Sequence, residues 1–330
     1  MSTPMRLLFM GSDAIALPLL DWLAGDGGSV AALVAVVTGP DRPEGRGLEV
    51  KPNPVALWAA QRAVPALKPE KLDAAALSAV RALRPDVALV VAYGHILRDE
   101  FIGAPRLGTL NLHASLLPRY RGASPIQAAV AAGERETGMS LMRIVRELDA
   151  GPVADVERVG ISPLDTAIDV ERKLAAASIG LVARALPRLA DESLAFAAQD
   201  ASLATFCRRL AKADGVLDFS APAATLAARV NGLNPWPSVV IDLAGAPVKL
   251  GLADAVPGGT AAPPGQVCGG DSEGIWVGTG SGTLRLRRLQ RPGGRMLGAA
   301  EFVRGFPVPV GTVVPSKTMP ALVATAPFGR

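Results

Sequence analysis

Asp86-Val87-Ala88-Leu89-Val90-Val91-Ala92 is the stretch that decides the fold class. After Asp86 it runs without a charge and without polar alternation. A strand wet on one side alternates; a parallel strand covered on both faces stays apolar throughout. Working outward, Arg6-Leu7-Leu8-Phe9-Met10 is a second such run, ended by Gly11-Ser12 and followed by helical spacing over residues 14–24. Residues 31–38 are β-branched and read as another strand; residues 39–54 form a loop rich in Gly, Pro and charge. Residues 72–83 have helical spacing, and residues 109–112 make a short strand. Ser124 is a plausible N-cap, with Pro125 opening a helix to Ala132. Residues 139–145 and 153–159 are strands flanking a loop, and residues 166–189 form a long helix. Strands alternating with helices predict an α/β, Rossmann-like, doubly wound parallel sheet over the first ~190 residues.

Beyond it the texture changes. Residues 191–205 lose helical periodicity and read as a linker. After a helix over 221–230 come short β-prone pieces at 239–243, 248–252, 274–277 and 283–289, separated by Gly and Pro turns. Such spacing predicts a small β-barrel, an OB-like fold among the options. The expected division is a catalytic domain over residues 1–190, a linker over 191–205 and an OB-like domain over 206–330. The segment from Pro307 is dotted with proline and reads as irregular.

Composition excludes several classes. The 330 residues suffice for two domains, each with its own core. The formal charge is +4 and the isoelectric point about 9.3, compatible with an RNA partner without establishing one. Cys207 and Cys268 show no CxxC spacing, so neither a zinc site nor a disulfide framework is expected. Asp13 and Asp21 interrupt the apolar N-terminus, which argues against a signal peptide, and no run of about 18 uncharged apolar residues would span a bilayer. A cytoplasmic monomer without metal is the expectation. The first strand is followed by Gly11-Ser12-Asp13-Ala14-Ile15-Ala16, not G-x-G-x-x-G, so the fold class brings no nicotinamide function with it.

The chemistry gathers in Asn111-Leu112-His113-Ala114-Ser115-Leu116-Leu117-Pro118, with Leu148-Asp149-Ala150-Gly151 downstream. The sequence holds two histidines, and His113 is one. Two residues apart on a strand, Asn111 and His113 point to the same side. Transfer of an acyl group to an amine passes through a tetrahedral oxyanion, to which the Asn111 amide can donate. His113 can move a proton or stabilise the same oxygen, and Asp149 can orient the imidazole. On spacing alone, the same residues suit buried polar groups satisfied locally and a turn before Gly151.

Asn-x-His, the following Ser-Leu-Leu-Pro and Leu-Asp-x-Gly resemble the catalytic core of the folate-dependent formyltransferases, which move the formyl group of 10-formyltetrahydrofolate to an amine. The resemblance implies the formyltransferase fold and a catalytic trio of Asn111, His113 and Asp149. It also implies a folate site lined by Ser115, Leu116, Leu117 and Pro118, with Val91, Tyr93 and Gly94 of the Val90–Gly94 stretch walling the pterin. Three further segments resemble the members that act on initiator methionyl-tRNA: Pro40 to Gly47, Tyr120 to Gln127, and Asn234-Pro235-Trp236-Pro237. They imply tRNA contacts by Arg42 and Arg46, to which Arg208 and Lys212 add charge at the domain junction; Lys249, Arg285, Arg287 and Arg288 can follow the RNA backbone further. The sequence departs from the family pattern in three places. Leu48 and Glu49 stand where lysines are common, Ser12 to Ile15 replace the usual turn residues, and His95 occupies a usually apolar position. An amino-sugar nucleotide is the alternative acceptor, and an RNA-binding protein on a degenerate scaffold the third reading.

Overall fold

The computed structural model describes residues 4–44, 47–256 and 262–329. In chain order the strands of the first half are β1 (Met5–Gly11), β2 (Ala31–Val37), β3 (Arg42–Glu44), β4 (Glu49–Lys51), β5 (Ala66–Leu67), β6 (Val87–Val91), β7 (Thr109–His113), β8 (Arg121–Gly122), β9 (Glu136–Arg143) and β10 (Val153–Gly160). Those of the second half are β11 (Phe206–Cys207), β12 (Val239–Leu243), β13 (Ala246–Val256), β14 (Val267–Gly270), β15 (Ile275–Gly278), β16 (Thr283–Gln290), β17 (Leu297–Gly298) and β18 (Val323–Ala324). The α-helices are α1 (Leu17–Ala24), α2 (Pro54–Gln61), α3 (Ala74–Ala82), α4 (Asp99–Ile102), α5 (Pro125–Ala131), α6 (Ala167–Ala190), α7 (Ala223–Gly232) and α8 (Ala299–Gly305). Two compact units emerge: residues 1–121, 138–159 and 172–204, and residues 122–137, 160–171 and 205–330.

The first unit holds a seven-stranded sheet in the order β10-β9-β7-β6-β1-β2-β5. Strands β5, β2, β1, β6 and β7 are parallel, while β9 runs antiparallel to β7. All five residues of β6 are buried, as its uninterrupted apolar run requires. One face carries Leu8, Met10, Ala35, Val37, Ala88 and Val90 against Val80 of α3 and Phe101 of α4. Strand order reverses between β1 and β6, and open α/β sheets hold ligands beyond the carboxyl ends of strands near such a point. There β1 and β6 approach so closely that a Cβ on Gly11 would lie 2.5 Å from the Val91 carbonyl oxygen. His113 ends β7 at the same end of the sheet.

Local sequence explains the details that differ from expectation. The predicted loop over 39–54 contains the β3–β4 hairpin, pairing Arg42 with Lys51 and Pro43 with Val50. It ends where Asn53 caps α2 by accepting from Ala56 N at 3.0 Å. The expected helix over 14–24 begins as a 3₁₀ turn capped by Asp13 and becomes α-helical at Leu17. Residues 191–205 form no α-helix, only a 3₁₀ turn at Ala201–Leu203, yet they are tied down: Ala197 makes a two-way backbone bridge with Val153.

The second unit contains an antiparallel sheet ordered β12-β13-β16-β15-β14, with β17 beside β16. Leu250, Ala253, Leu284, Leu286 and Leu289 form its apolar face, against Leu226 and Val230 of α7 and Phe302 of α8. Register slips along β13 at Leu250–Ala253, and buried Asn231 satisfies that irregularity, donating to Ala253 O at 3.0 Å and accepting from Ala253 N at 2.9 Å. The segment after Pro307, read as irregular, is pinned. Phe219 N donates to Ser316 Oγ at 2.9 Å, Lys317 N donates to Leu217 O at 2.7 Å, and β18 pairs antiparallel with β11. Among the described residues no helix is long and apolar enough to cross a membrane.

Candidate active site

Strand β7 lies between β6 and β9, so its end is held from both sides. Asn111 is opposite Val90 on one side and Met142 on the other, and His113 is opposite Ser140. His113 is 6% exposed and Asn111 half-buried. Among the described residues the Asn111 amide has no hydrogen-bond partner, unusual for a polar group at the rim of a core.

His113 Nε2 lies 2.9 Å from the Tyr120 carbonyl oxygen. A carbonyl only accepts, so Nε2 carries the proton. The other ring nitrogen, Nδ1, faces Asp149 Oδ2 at 3.7 Å. The tautomer is thus set by a backbone group.

The segment between His113 and Tyr120 is what delivers that carbonyl. Ser115 N donates to His113 O at 2.9 Å, and Ser115 Oγ donates to Arg119 O at 2.6 Å. From β9, Ser140 Oγ donates to Ser115 O at 2.6 Å and accepts from Leu117 N at 3.1 Å. The turn is therefore hydrogen-bonded end to end, and Tyr120 leaves it at φ +59°. Ser115, fully buried, holds the turn; Leu116, Leu117 and Pro118 are half-buried. Nothing in the sequence marked Ser140, because its role exists only once β9 lies against β7.

Asp149 sits in the loop between β9 and β10 at φ +49°, a left-handed conformation that aspartate tolerates better than most residues. Two groups set this loop. Gly151 must be glycine, since a Cβ there would lie 1.9 Å from the Arg143 carbonyl oxygen. Gln199 Nε2 donates to Asp149 O at 2.8 Å and to Gly151 O at 2.7 Å. Gln199 lies in the predicted linker and carried no motif.

Val91 and Tyr93 are buried and Gly94 is exposed at φ +77°. The Tyr93 ring belongs to the core that includes Leu8 and Val80, and burial pushes its hydroxyl up to about 12. His95 is exposed, its ring 5.0 Å from that of Tyr93. A cavity of about 480 Å³ in the same unit is lined by Gly108, Arg106 and Arg143 among others. It lies at the start of β7, away from His113 at its end.

The basic residues differ in situation. Arg42 is exposed on β3, and Arg46 lies outside the described residues. Lys212 is exposed, whereas Arg208 donates to the buried Asp214 carboxylate, with Nη1 to Oδ2 at 2.9 Å. Burial alone would push Asp214 up; the Arg208 guanidinium and the Ala211 N–H outweigh it and hold the carboxyl below the usual range. Arg285 and Arg287 stand on the outer face of β16, as the alternation with buried Leu284 and Leu286 predicts. Both are ion-paired to Asp254 and Glu273, and Arg285 also to Asp271. Arg288 is exposed, and Lys249 Nζ donates to Pro235 O at 3.3 Å. Among the described residues no group of three or more His, Cys, Asp or Glu could hold a metal ion.

Comparison with known proteins places the chain in a family. Residues 5–186 match the formyl transferase family and residues 209–307 the formyl transferase C-terminal domain. The chain is 39% identical over 311 residues to the methionyl-tRNA formyltransferase of Aromatoleum aromaticum, covering 94% of this chain and 97% of that one. It is 41% identical over 315 residues to that of Sorangium cellulosum, covering 94% and 99%. In fold it resembles the N-formyltransferase of Helicobacter canadensis in complex with folinic acid and dTDP-3-aminofucose (TM-score 0.66, 14% identity, 86% of this chain and 98% of that one). It also resembles HypX of Aquifex aeolicus in complex with tetrahydrofolic acid (TM-score 0.60, 16% identity, 91% of this chain), of which it spans about half, 47%. The chain belongs to the formyl transferase family, among the methionyl-tRNA formyltransferases.

Proposed function

We propose that this protein transfers the formyl group of 10-formyltetrahydrofolate to the free α-amino group of initiator methionyl-tRNA, acting as a cytoplasmic monomer. The observation that carries the reading is the unpartnered Asn111 amide, two residues along one strand face from an imidazole that faces Asp149 at 3.7 Å. The amine nitrogen attacks the formyl carbon, and the carbonyl π electrons move to oxygen. Asn111 donates to that oxyanion. A free α-amino group has a pKa of about 7.7–8.0, so the nucleophile needs no covalent relay. The ammonium formed in the attack must lose a proton, and the folate nitrogen must gain one as its bond to carbon breaks. His113 Nδ1, backed by Asp149, performs that transfer while Nε2 stays bound to Tyr120 O. Leu116, Leu117 and Pro118 hold the folate; their partial burial fits a wall open on one side. Arg42 and Lys212, exposed and basic, fit tRNA phosphates, and Arg46 joins them in this reading.

The test is a formyl-transfer assay with 10-formyltetrahydrofolate, offering methionyl-initiator tRNA, uncharged tRNA and amino-sugar nucleotides in parallel. Turnover only with the charged tRNA is the expected result; preference for the amino sugar overturns the acceptor assignment, and no turnover with any acceptor overturns the reaction. Relatives at 39–41% identity that cover 94% of the chain are named for the tRNA substrate, which favours it over the sugar.

A further inference from the structure

We infer that Gln199 is a positioning residue for formyl transfer, holding the Asp149 loop in the conformation that presents its carboxylate to His113. The inference rests on the role proposed above for Asp149. Gln199 sits on the segment between α6 and β11, which is fastened beside the loop by the Val153–Ala197 bridge and by Arg143, whose guanidinium lies 4.2 Å from the centre of the Phe196 ring. Its amide is used at both ends. Oε1 accepts from Arg121 Nε at 3.1 Å and Nη2 at 2.7 Å; Nε2 donates to Asp149 O at 2.8 Å and Gly151 O at 2.7 Å. Because Arg121 can only donate, it fixes which end of the amide is oxygen, and the two donors are thereby aimed at the two carbonyls.

The first carbonyl belongs to the peptide joining Asp149 to Ala150, the second to the peptide joining Gly151 to Pro152. Holding both constrains the main chain on either side of Ala150, next to Asp149 with its φ of +49°. That conformation is uphill for a residue with a Cβ, so it needs outside support. Gly151 removes the clash with Arg143 O, and Gln199 supplies the hydrogen bonds. Released, the loop relaxes toward negative φ and swings the carboxylate off the imidazole. Arg121 and Tyr120 are adjacent, so one turn supplies both the carbonyl that orients His113 and the guanidinium that orients Gln199. Imidazole and carboxylate are thus aligned from a common origin.

The two roles of the Gln199 amide are separable. In Gln199→Glu the contact with Arg121 is retained as an ion pair, but the two N–H donors become an oxygen facing two carbonyl oxygens. In Gln199→Met the length remains and both sets of hydrogen bonds are lost. Both variants are expected to lower kcat at least tenfold while each KM, for folate and for methionyl-tRNA, stays within about twofold. Amide hydrogen exchange is expected to speed up at residues 147–151 and nowhere else in the sheet. Gln199→Glu with unchanged kcat overturns the inference, since only tethering to Arg121 would then matter. Loss of the folded state in both variants overturns it too, by making the amide a folding element. Asp149→Asn, measured alongside, separates the two levels: a folded and fully active Asp149→Asn variant refutes the role of Asp149 itself. An inactive Asp149→Asn with active Gln199 variants refutes Gln199 alone.

Discussion

Asp149 in the first unit and Asp214 in the second each sit near an arginine, and the wiring differs. Arg208 grips the Asp214 carboxylate directly, and Asp214 also caps its own turn by accepting from Ala211 N at 2.7 Å. Arg121 instead reaches the Asp149 backbone through the amide of Gln199, while the Asp149 carboxylate faces His113. The contrast teaches how a protein separates a structural carboxylate from the one proposed above for chemistry. A guanidinium on the carboxylate itself stabilises its charge and holds it against proton transfer. A support placed on the main chain fixes position, and at Asp149 it accompanies a carboxylate that faces an imidazole. The second unit follows the first pattern elsewhere, where Arg285 and Arg287 meet Asp254 and Glu273, whereas buried Arg229 supports main chain, donating to the carbonyls of Asp214, Val216 and Pro320.

The largest effect that can break this comparison is at His113. His113→Ala removes the partner of Asp149 and is expected to lower kcat by about 10²–10⁴-fold with an unchanged melting temperature. Near-normal turnover by the folded variant would refute the chemical half of the contrast.

Asp214 tests the structural half. Asp214→Ala leaves the Arg208 and Arg229 region without its anion and is expected to cost about 3–5 kcal/mol in chemical denaturation. Asp214→Asn adds a pH signature. The carboxyl is held below its usual range when folded, so the unfolded chain takes up protons first as pH falls. The stability gap between wild type and Asp214→Asn is therefore constant above about pH 5 and shrinks below about pH 4. A gap that grows on acidification would reverse the sign and exclude the ion pair as its source.

The smallest effect separates exposed from paired cations. Arg42→Ala is expected to reduce the log–log salt slope of tRNA binding by ~1, because one phosphate contact is lost. Arg285→Ala removes a charge already balanced by Asp254, Asp271 and Glu273, and is expected to leave that slope unchanged while lowering the melting temperature. Equal slopes for the two variants would mean that the paired arginines also meet RNA.

Much of this molecule was legible in its sequence. The apolar runs at β1 and β6, the β-branched β2 and the Asn-x-His spacing on β7 are local patterns, and local patterns determine which residues form strands and which side they face. The missing G-x-G-x-x-G meant that the fold class brought no nicotinamide function with it, and the formyl-transfer motif was readable as a motif. The burden carried by individual residues was not legible, because it depends on partners distant in the chain. Ser115 looked like a ligand contact, and its hydroxyl closes the turn through Arg119 O. Ser140 and Gln199 had no signal, since their partners are main-chain atoms 25 and 50 residues away. The basic stretch over 285–288 suggested a nucleic-acid face, and folding set acidic partners from other strands and turns against Arg285 and Arg287. The sequence by itself determined the main strands and helices, the family and the atoms available for chemistry, all properties of short segments. Only the tertiary structure decided which of those atoms are free to react, because hydrogen bonds and ion pairs between distant segments consume the rest.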